Sequence, residues 1–127
     1  MLQKNIKMGY KLFLDDIRYP NNCLYYMESK LSDTTIYKEK FVIARSYYEF
    51  IQNLEEKGVP EFISFDHDLG YNEDTNEEKT GYDCAKYLVD YCAKNNIKVP
   101  DYVVHSMNPV GERNIIEYIE NYKKNIT

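Results

Sequence analysis

Four short apolar runs, each closed by ionisable or strongly polar side chains, constrain this chain more than any other feature. They are Tyr10–Asp16 (YKLFLDD), Phe41–Ala44 followed by Arg45, Glu61–Asp66 (EFISFD) followed by His67 and Asp68, and Asp101–His105 (DYVVH) followed by Ser106. Runs this short and this apolar have the length of buried strands. Helical patterns separate the last three and follow the fourth. Ser46-Tyr47-Tyr48-Glu49 reads as a capping box, with Glu49 reaching back over the start of a helix. Tyr47, Phe50, Ile51 and Leu54 then keep helical spacing until Gly58 and Pro60 stop it. Thr80 and Asp83 open a second stripe, Ala85, Leu88, Val89 and Cys92, which ends at Asn95-Asn96. Asn108 and Pro109 supply an N-cap and an N1 proline for a third stripe, Ile115, Ile116, Ile119 and Tyr122. Ile17–Lys40 lacks such a pattern. Turn chemistry at Tyr19-Pro20-Asn21-Asn22 leads into an irregular excursion that holds at most a short helix over Cys23–Leu31. Tyr71–Lys79 reads as a polar, acidic loop.

Strands alternating with helices favour right-handed parallel crossovers and a central sheet with helices on both faces. For four strands the flavodoxin-like order is 2-1-3-4. A chain of 127 residues suits one such domain spanning residues 1–127.

Charge and composition exclude several classes of function. The net charge of −5 argues against an extended nucleic-acid surface, while a small nucleotide or an RNA end can still bind locally. No apolar run approaches the ~20 residues of a membrane span, and Met1–Tyr10 has no apolar segment of the secretory type. Cys23, Cys84 and Cys92 show no metal-thiolate spacing, and the last two stand too far apart along one helix to bridge. Free thiols in a reducing cytoplasm are the expectation.

In an open parallel sheet, ligands bind beyond the carboxyl ends of the strands. Here that edge collects Asp15, Asp16 and Arg18 from the first strand, Arg45 from the second, Asp66, His67 and Asp68 from the third, and His105, Ser106 and Asn108 from the fourth. Asp15, Asp16, Asp66 and Asp68 would repel one another unless a cation or protons offset them. Such hard oxygen donors suit Mg²⁺ or Mn²⁺. The competing reading is that one aspartate caps a helix and the others are solvated. Both imidazoles of the chain follow buried strands, where they can move protons or ligate a metal. Arg18 and Arg45 have the forked geometry that matches a phosphate, or each makes a surface ion pair. The helix starts at Thr80-Gly81 and Ser106–Gly111 offer free amides to an anion. Gly81 and Gly111 permit close backbone approach or simply serve turns. Ser106 beside His105 invites a nucleophile reading, but neighbours on a strand point to opposite faces, which argues against a dyad.

The segments LFLDDIRYP, ISFDHDLG, TGYDCAKYL and VVHSMNPVGERNI, in that order, resemble the cyclic-phosphate-processing receiver-like domain family, a divergent relative of response-regulator receivers. The resemblance covers Leu12 to about Ile116. It implies a receiver-type doubly wound fold. It equates Asp15 and Asp16 with the acidic metal pair of receivers and Asp66 with the phosphoacceptor position, with His67 and Asp68 as additions of the family. His105 and Ser106 stand where ordinary receivers carry a hydroxyl residue. Unlike an ordinary receiver, the chain supplies no fifth strand with its usual lysine. The family is proposed to act on phosphoesters, including cyclic phosphates of nucleotides or RNA ends. The implied activity is a metal-assisted phosphodiesterase, in which Asp15, Asp16, Asp66 and Asp68 hold Mg²⁺ or Mn²⁺ and His67 and His105 transfer protons. Arg18, Arg45, Ser106, Asn108 and Gly81 would bind the phosphate. A non-catalytic module that sequesters a nucleotide or signal molecule would use the same pocket, and a phosphoacceptor domain would be built on Asp66.

Overall fold

The computed structural model describes residues 9–71 and 78–126, so residues 72–77 of the predicted acidic loop lie outside the described residues. The four apolar runs form four parallel strands: β1 (Lys11–Leu14), β2 (Val42–Ala44), β3 (Phe62–Phe65) and β4 (Asp101–Val104). Their order is β2-β1-β3-β4, as the alternation of elements predicts. Leu14 stands opposite Ala44 on one side and Phe65 on the other, and Phe65 stands opposite Val104, so the strand ends are level across the sheet.

Side chains alternate between the two faces of the sheet. Leu12, Leu14, Ile63, Phe65 and Val104 belong to one core, which they share with α2 (Tyr47–Lys57), α3 (Gly81–Asn95) and α4 (Pro109–Asn125). Phe50, Leu54, Leu88, Ile115 and Ile119 are the fully buried contributions of those helices. Phe13 belongs to a second core with Cys23, Met27 and Tyr37. These come from the excursion after β1, which is a 3-10 turn at Pro20–Asn22, the short helix α1 (Cys23–Tyr26), and 3-10 turns at Met27–Ser29 and Thr35–Lys38. All three long helices therefore cover one face, and irregular turns cover the other. Burial of each large side chain contributes roughly 1.5–3 kcal/mol, enough to fix a segment that has no helical stripe. Polar ties assist: Lys30 Nζ donates to Ser106 O at 3.1 Å and pairs with Glu112 at 2.8 Å.

The helix starts follow their sequence signals, with one difference. Thr80 and Asp83 form a reciprocal capping box, and Asn108 Oδ1 accepts from the Gly111 amide at 3.0 Å. Ser46 Oγ accepts from the Glu49 amide at 3.1 Å. Glu49, however, closes on the Arg45 amide at 2.7 Å, one residue before the expected partner, and so caps the end of β2 as well as the start of α2. β4 is an edge strand, and a groove of about 500 Å³ runs along its outer side between α4 and the excursion. None of the sequence-predicted site residues lines that groove. No described helix is long and apolar enough to cross a membrane.

Candidate functional site

The winding of the connections reverses between β1 and β3, although all four strands run parallel. The connection from β1 runs outward to β2, and those after β2 run the other way. At that switch point the loops beyond β1, β3 and β4 part and leave a cleft of about 470 Å³. Asp16, Ile17, Arg18, Asp66, Asp68, Met107 and Asn108 line it. Residues from three separate loops thus meet, as the level strand ends require.

Asp15 lies behind the cleft and is fully buried. Its Oδ1 accepts from the amides of Ile17 at 3.0 Å and Arg18 at 2.8 Å, which folds the turn carrying Arg18. Its Oδ2 accepts from His105 Nε2 at 2.9 Å and from Arg18 Nη1 at 3.4 Å. Burial alone would raise the Asp15 pKa, but the His105 hydrogen bond and the two amides outweigh it and hold this carboxyl well below its ordinary range. Asp66 is 5% exposed and has the opposite balance. Burial and then the neighbouring Asp15 charge push it up to about 7, against a single amide hydrogen bond from His67 at 2.9 Å. Asp16 is also raised, by burial and then by Asp15. Among the described residues Arg18 is the one cationic side chain lining the cleft. The crowding of carboxylates expected from the sequence is therefore present, with Asp15 held ionised by its hydrogen bonds while Asp16 and Asp66 are pushed toward the protonated form.

Ligand atoms of Asp15, Asp66 and His105 lie within 4.8 Å of one another, so these three residues could hold a metal ion. Oxygen and imidazole donors at that spacing suit a small divalent cation. The carboxylates facing the cleft itself are Asp16, Asp66 and Asp68.

The two imidazoles are placed differently from each other, and neither lines the cleft. His105 is fully buried and stacks on Phe13, with ring centroids 4.6 Å apart. Both its nitrogens are engaged, Nε2 with Asp15 and Nδ1 with Ser64 Oγ at 2.7 Å. It lies beside the aspartates, as expected, but beneath the surface, where it cannot meet a substrate directly. Burial lowers its pKa despite the Asp15 carboxylate. Ser64, His105 and Asp15 have the composition of a hydrolytic triad, yet Ser64 is 0% exposed and cannot attack anything outside the protein. The side chain of His67 is 16% exposed, and its Nδ1 sits 2.9 Å from Asp68 Oδ1. The ring packs on the first turn of α4, where a Cβ on Gly111 would collide with it. His67 thus reaches the cleft through Asp68, whose carboxylate also accepts from Asn108 Nδ2 at 3.4 Å.

Three predicted phosphate ligands stand elsewhere. Arg45 does not line the cleft: its Nη1 donates to Asp15 O at 3.1 Å and Arg18 O at 2.5 Å, and its guanidinium stacks on Tyr19. It braces the turn from behind because the carbonyls there have no strand partner. Ser106 is buried, and its hydroxyl accepts from the Asn108 amide at 3.0 Å, shaping the turn into α4. Gly81 faces backbone, not ligand: a Cβ there would overlap Asp66 O, so this glycine lets α3 start against the β3 end. Sequence reasoning missed Tyr37 and Ser64, which extend the buried polar chain below His105 through a 2.8 Å hydrogen bond. A lone serine between Ile63 and Phe65 in a buried strand was the available signal for one of them. Tyr37 carries no such signal, because its segment has no period.

No curated protein matches the chain. A solved structure in which amino acids 181–211 of the yeast Spc42 trimeric coiled coil are fused to another structure aligns with 97% of this chain and 87% of its own at 16% identity, with a TM-score of 0.45. That likeness is too slight to bear on fold or function. The family model described as the cyclic-phosphate processing receiver domain matches residues 10–121, which include every strand and every residue of the cleft. The chain belongs to the cyclic-phosphate processing receiver domain family.

Proposed function

We propose that the protein is a metal-dependent phosphoesterase that opens a nucleotide-type or RNA-end phosphodiester, including a cyclic one. The observation that carries this reading is the cleft itself: Asp16, Asp66 and Asp68 line it beside Arg18, and burial, then the Asp15 charge, pushes the Asp66 pKa up to about 7. Carboxylates crowded in this way favour Mg²⁺ or Mn²⁺, which when bound supplies Lewis-acid polarisation of a phosphoryl oxygen and acidifies a water. Asp15, Asp66 and His105 bring ligand atoms within 4.8 Å of one another and would hold it, with Asp66 facing the cleft and Asp16 and Asp68 on the same wall.

Arg18 presents a guanidinium to a phosphate oxygen, and Asp15 sets its direction through the 15–18 turn. Asn108 offers a side-chain amide on the opposite wall. His67 is the proton-transfer residue of this reading. Its Nδ1 is tied to Asp68, which leaves Nε2 with no hydrogen bond to another described residue. Without metal, His105 acts only through Asp15. Ile17 and Met107, exposed by 74% and 70%, give the cleft an apolar rim against which a base can lie.

The test is incubation with 2′,3′-cyclic nucleotides, 3′,5′-cyclic nucleotides and cyclic dinucleotides, each with Mg²⁺ or Mn²⁺. Conversion of one class to a monoester, lost in Asp66→Asn, is the expected result. Stoichiometric binding with the ligand recovered intact would replace this reading with a sequestering module.

A further inference from the structure

Beneath the cleft runs a chain of four buried polar groups on the face of the sheet covered by the excursion. Tyr37 Oη lies 2.8 Å from Ser64 Oγ, Ser64 Oγ lies 2.7 Å from His105 Nδ1, and His105 Nε2 lies 2.9 Å from Asp15 Oδ2. Tyr37 is 1% exposed, and the other three are fully buried. The direction of the hydrogen bonds follows from the ends. A carboxylate only accepts, so His105 donates from Nε2. If His105 were also protonated at Nδ1, Ser64 would accept there, and either Ser64 donates to Tyr37 and the Tyr37 proton is left without an acceptor in this chain, or Ser64 accepts from both and its own proton is left over. With Nδ1 unprotonated, Tyr37 donates to Ser64, Ser64 donates to His105 and His105 donates to Asp15. Every proton then has an acceptor, and no buried side-chain polar atom among the described residues lacks a partner.

We propose that Tyr37 and Ser64 are positioning residues of the cleft: their hydroxyls lock the His105 imidazole with its proton on Nε2, and this fixes Asp15 under the turn that holds Arg18. The other oxygen of Asp15 accepts the Ile17 and Arg18 amides, so a carboxylate that rotates loses the turn as well. Two further contacts keep the ring from turning over. Phe13 stacks on it with an interplanar angle of 3°, and Tyr26 Oη donates to the His105 carbonyl at 2.6 Å. In this arrangement both ring nitrogens are engaged, Nδ1 as acceptor and Nε2 as donor. His105 therefore becomes a metal ligand only by surrendering one of these bonds, and without metal it serves the site as an orienting donor.

The proposal deepens the phosphoesterase reading by naming what aims Arg18, and its test is first read without metal or substrate. The chain has only two histidines, so ¹⁵N spectra of the imidazoles in labelled protein are simple. At pH 7.5 the His105 signals are expected to show protonated Nε2 and unprotonated Nδ1. Ser64→Ala is expected to shift the Nδ1 signal and the backbone amides of Ile17 and Arg18, Ser64→Thr to restore them, and Tyr37→Phe to produce a smaller shift of the same signals. Should Ser64→Ala fail to fold, the Tyr37→Phe spectrum decides the matter alone. A proton on Nδ1 in the wild type, or Ile17 and Arg18 amides unmoved in the variants that fold, overturns the proposal. Titration with inorganic phosphate in the presence of Mg²⁺ is expected to give severalfold weaker binding in Ser64→Ala. A wild type that binds no phosphate while its imidazole shows the expected proton would sink the phosphoesterase reading and leave the positioning chain standing.

Discussion

The His67 imidazole lies on Gly111 with no room between them for a side chain. Gly111 sits in the first turn of α4, so the start of this helix sets where the exposed imidazole stands. Gly111→Ala is expected to push His67 off Asp68 and to lower turnover by about a hundredfold, the scale of a displacement near 1 Å. Stability should change little. An alanine gains about 1 kcal/mol of helix propensity, which offsets much of the roughly 1–3 kcal/mol of overpacking. Paired rate and melting measurements check this, and an equal loss in both would mean that Gly111 serves folding alone.

Metal binding should depend on pH through Asp66. Without metal the folded protein keeps the Asp66 proton up to about pH 7, against about 3.9 for an unperturbed aspartate. The folded state thus binds more protons than the unfolded one in that window, and Asp66 makes stability fall as pH rises through it. Buried His105 works in the opposite direction: its lowered pKa makes stability fall as pH drops below about 6.5, the value of an unperturbed imidazole. The metal-free melting temperature should therefore vary only gently across the window. The increment from Mg²⁺ or Mn²⁺ should not, because the cation competes with the Asp66 proton. Apparent affinity is expected to weaken about tenfold per unit below about pH 7 and to level off above it. Melting curves with and without metal from pH 5.5 to 8.5 check this, and Asp66→Asn should abolish the increment.

The two arginines should separate cleanly. Arg18 lines the cleft, so Arg18→Met is expected to weaken phosphate or substrate binding ten- to hundredfold, the scale of a charge-assisted hydrogen bond of about 1.5–3 kcal/mol. Arg45 donates to two backbone carbonyls, so Arg45→Met is expected to cost about 1–3 kcal/mol of stability. Calorimetric titration and thermal melts of both variants give the comparison. A larger binding defect in Arg45→Met than in Arg18→Met would contradict the placement.

The thiols should be silent in the native protein. Cys23, Cys84 and Cys92 are free and buried. Burial pushes Cys23 and Cys92 up to about 11 and Cys84 well above its ordinary value. A thiol reagent such as DTNB is expected to label none of them at pH 8 and all of them in denaturant. Rapid native labelling of any one would show local opening at that site.

What the sequence made legible was whatever has a period or a cap. The four strands, their order and the three long helices followed from apolar runs, Ser46, Thr80, Asn108 and Pro109, because these signals act locally. Convergence of Asp16, Arg18, Asp66, Asp68 and Asn108 followed from topology, since level parallel strands bring their ends together. Side-chain direction did not follow. Arg45 and Ser106 turn to backbone groups left unpaired at the strand ends, and His105 turns inward because Ser64, two strands of side-chain packing and a distant tyrosine form a polar pocket there. Those partners lie far apart in sequence, and apart from the lone serine in β3 no local pattern announces them. Gly81 and Gly111 show the same limit: a glycine signals close approach, but only coordinates say to what.

Ninety residues separate Asp15 from His105, the pair that ties the first strand's end to the last. A chain still emerging from the ribosome therefore holds the acids of the first and third strands long before their buried imidazole partner arrives. Until β4 has been made and docked, Asp15 lacks the imidazole that braces it, and the turn carrying Arg18 lacks that support. A chain truncated upstream of β4 is expected to lose the Asn108 wall of the cleft as well, whatever it leaves of the remaining sheet.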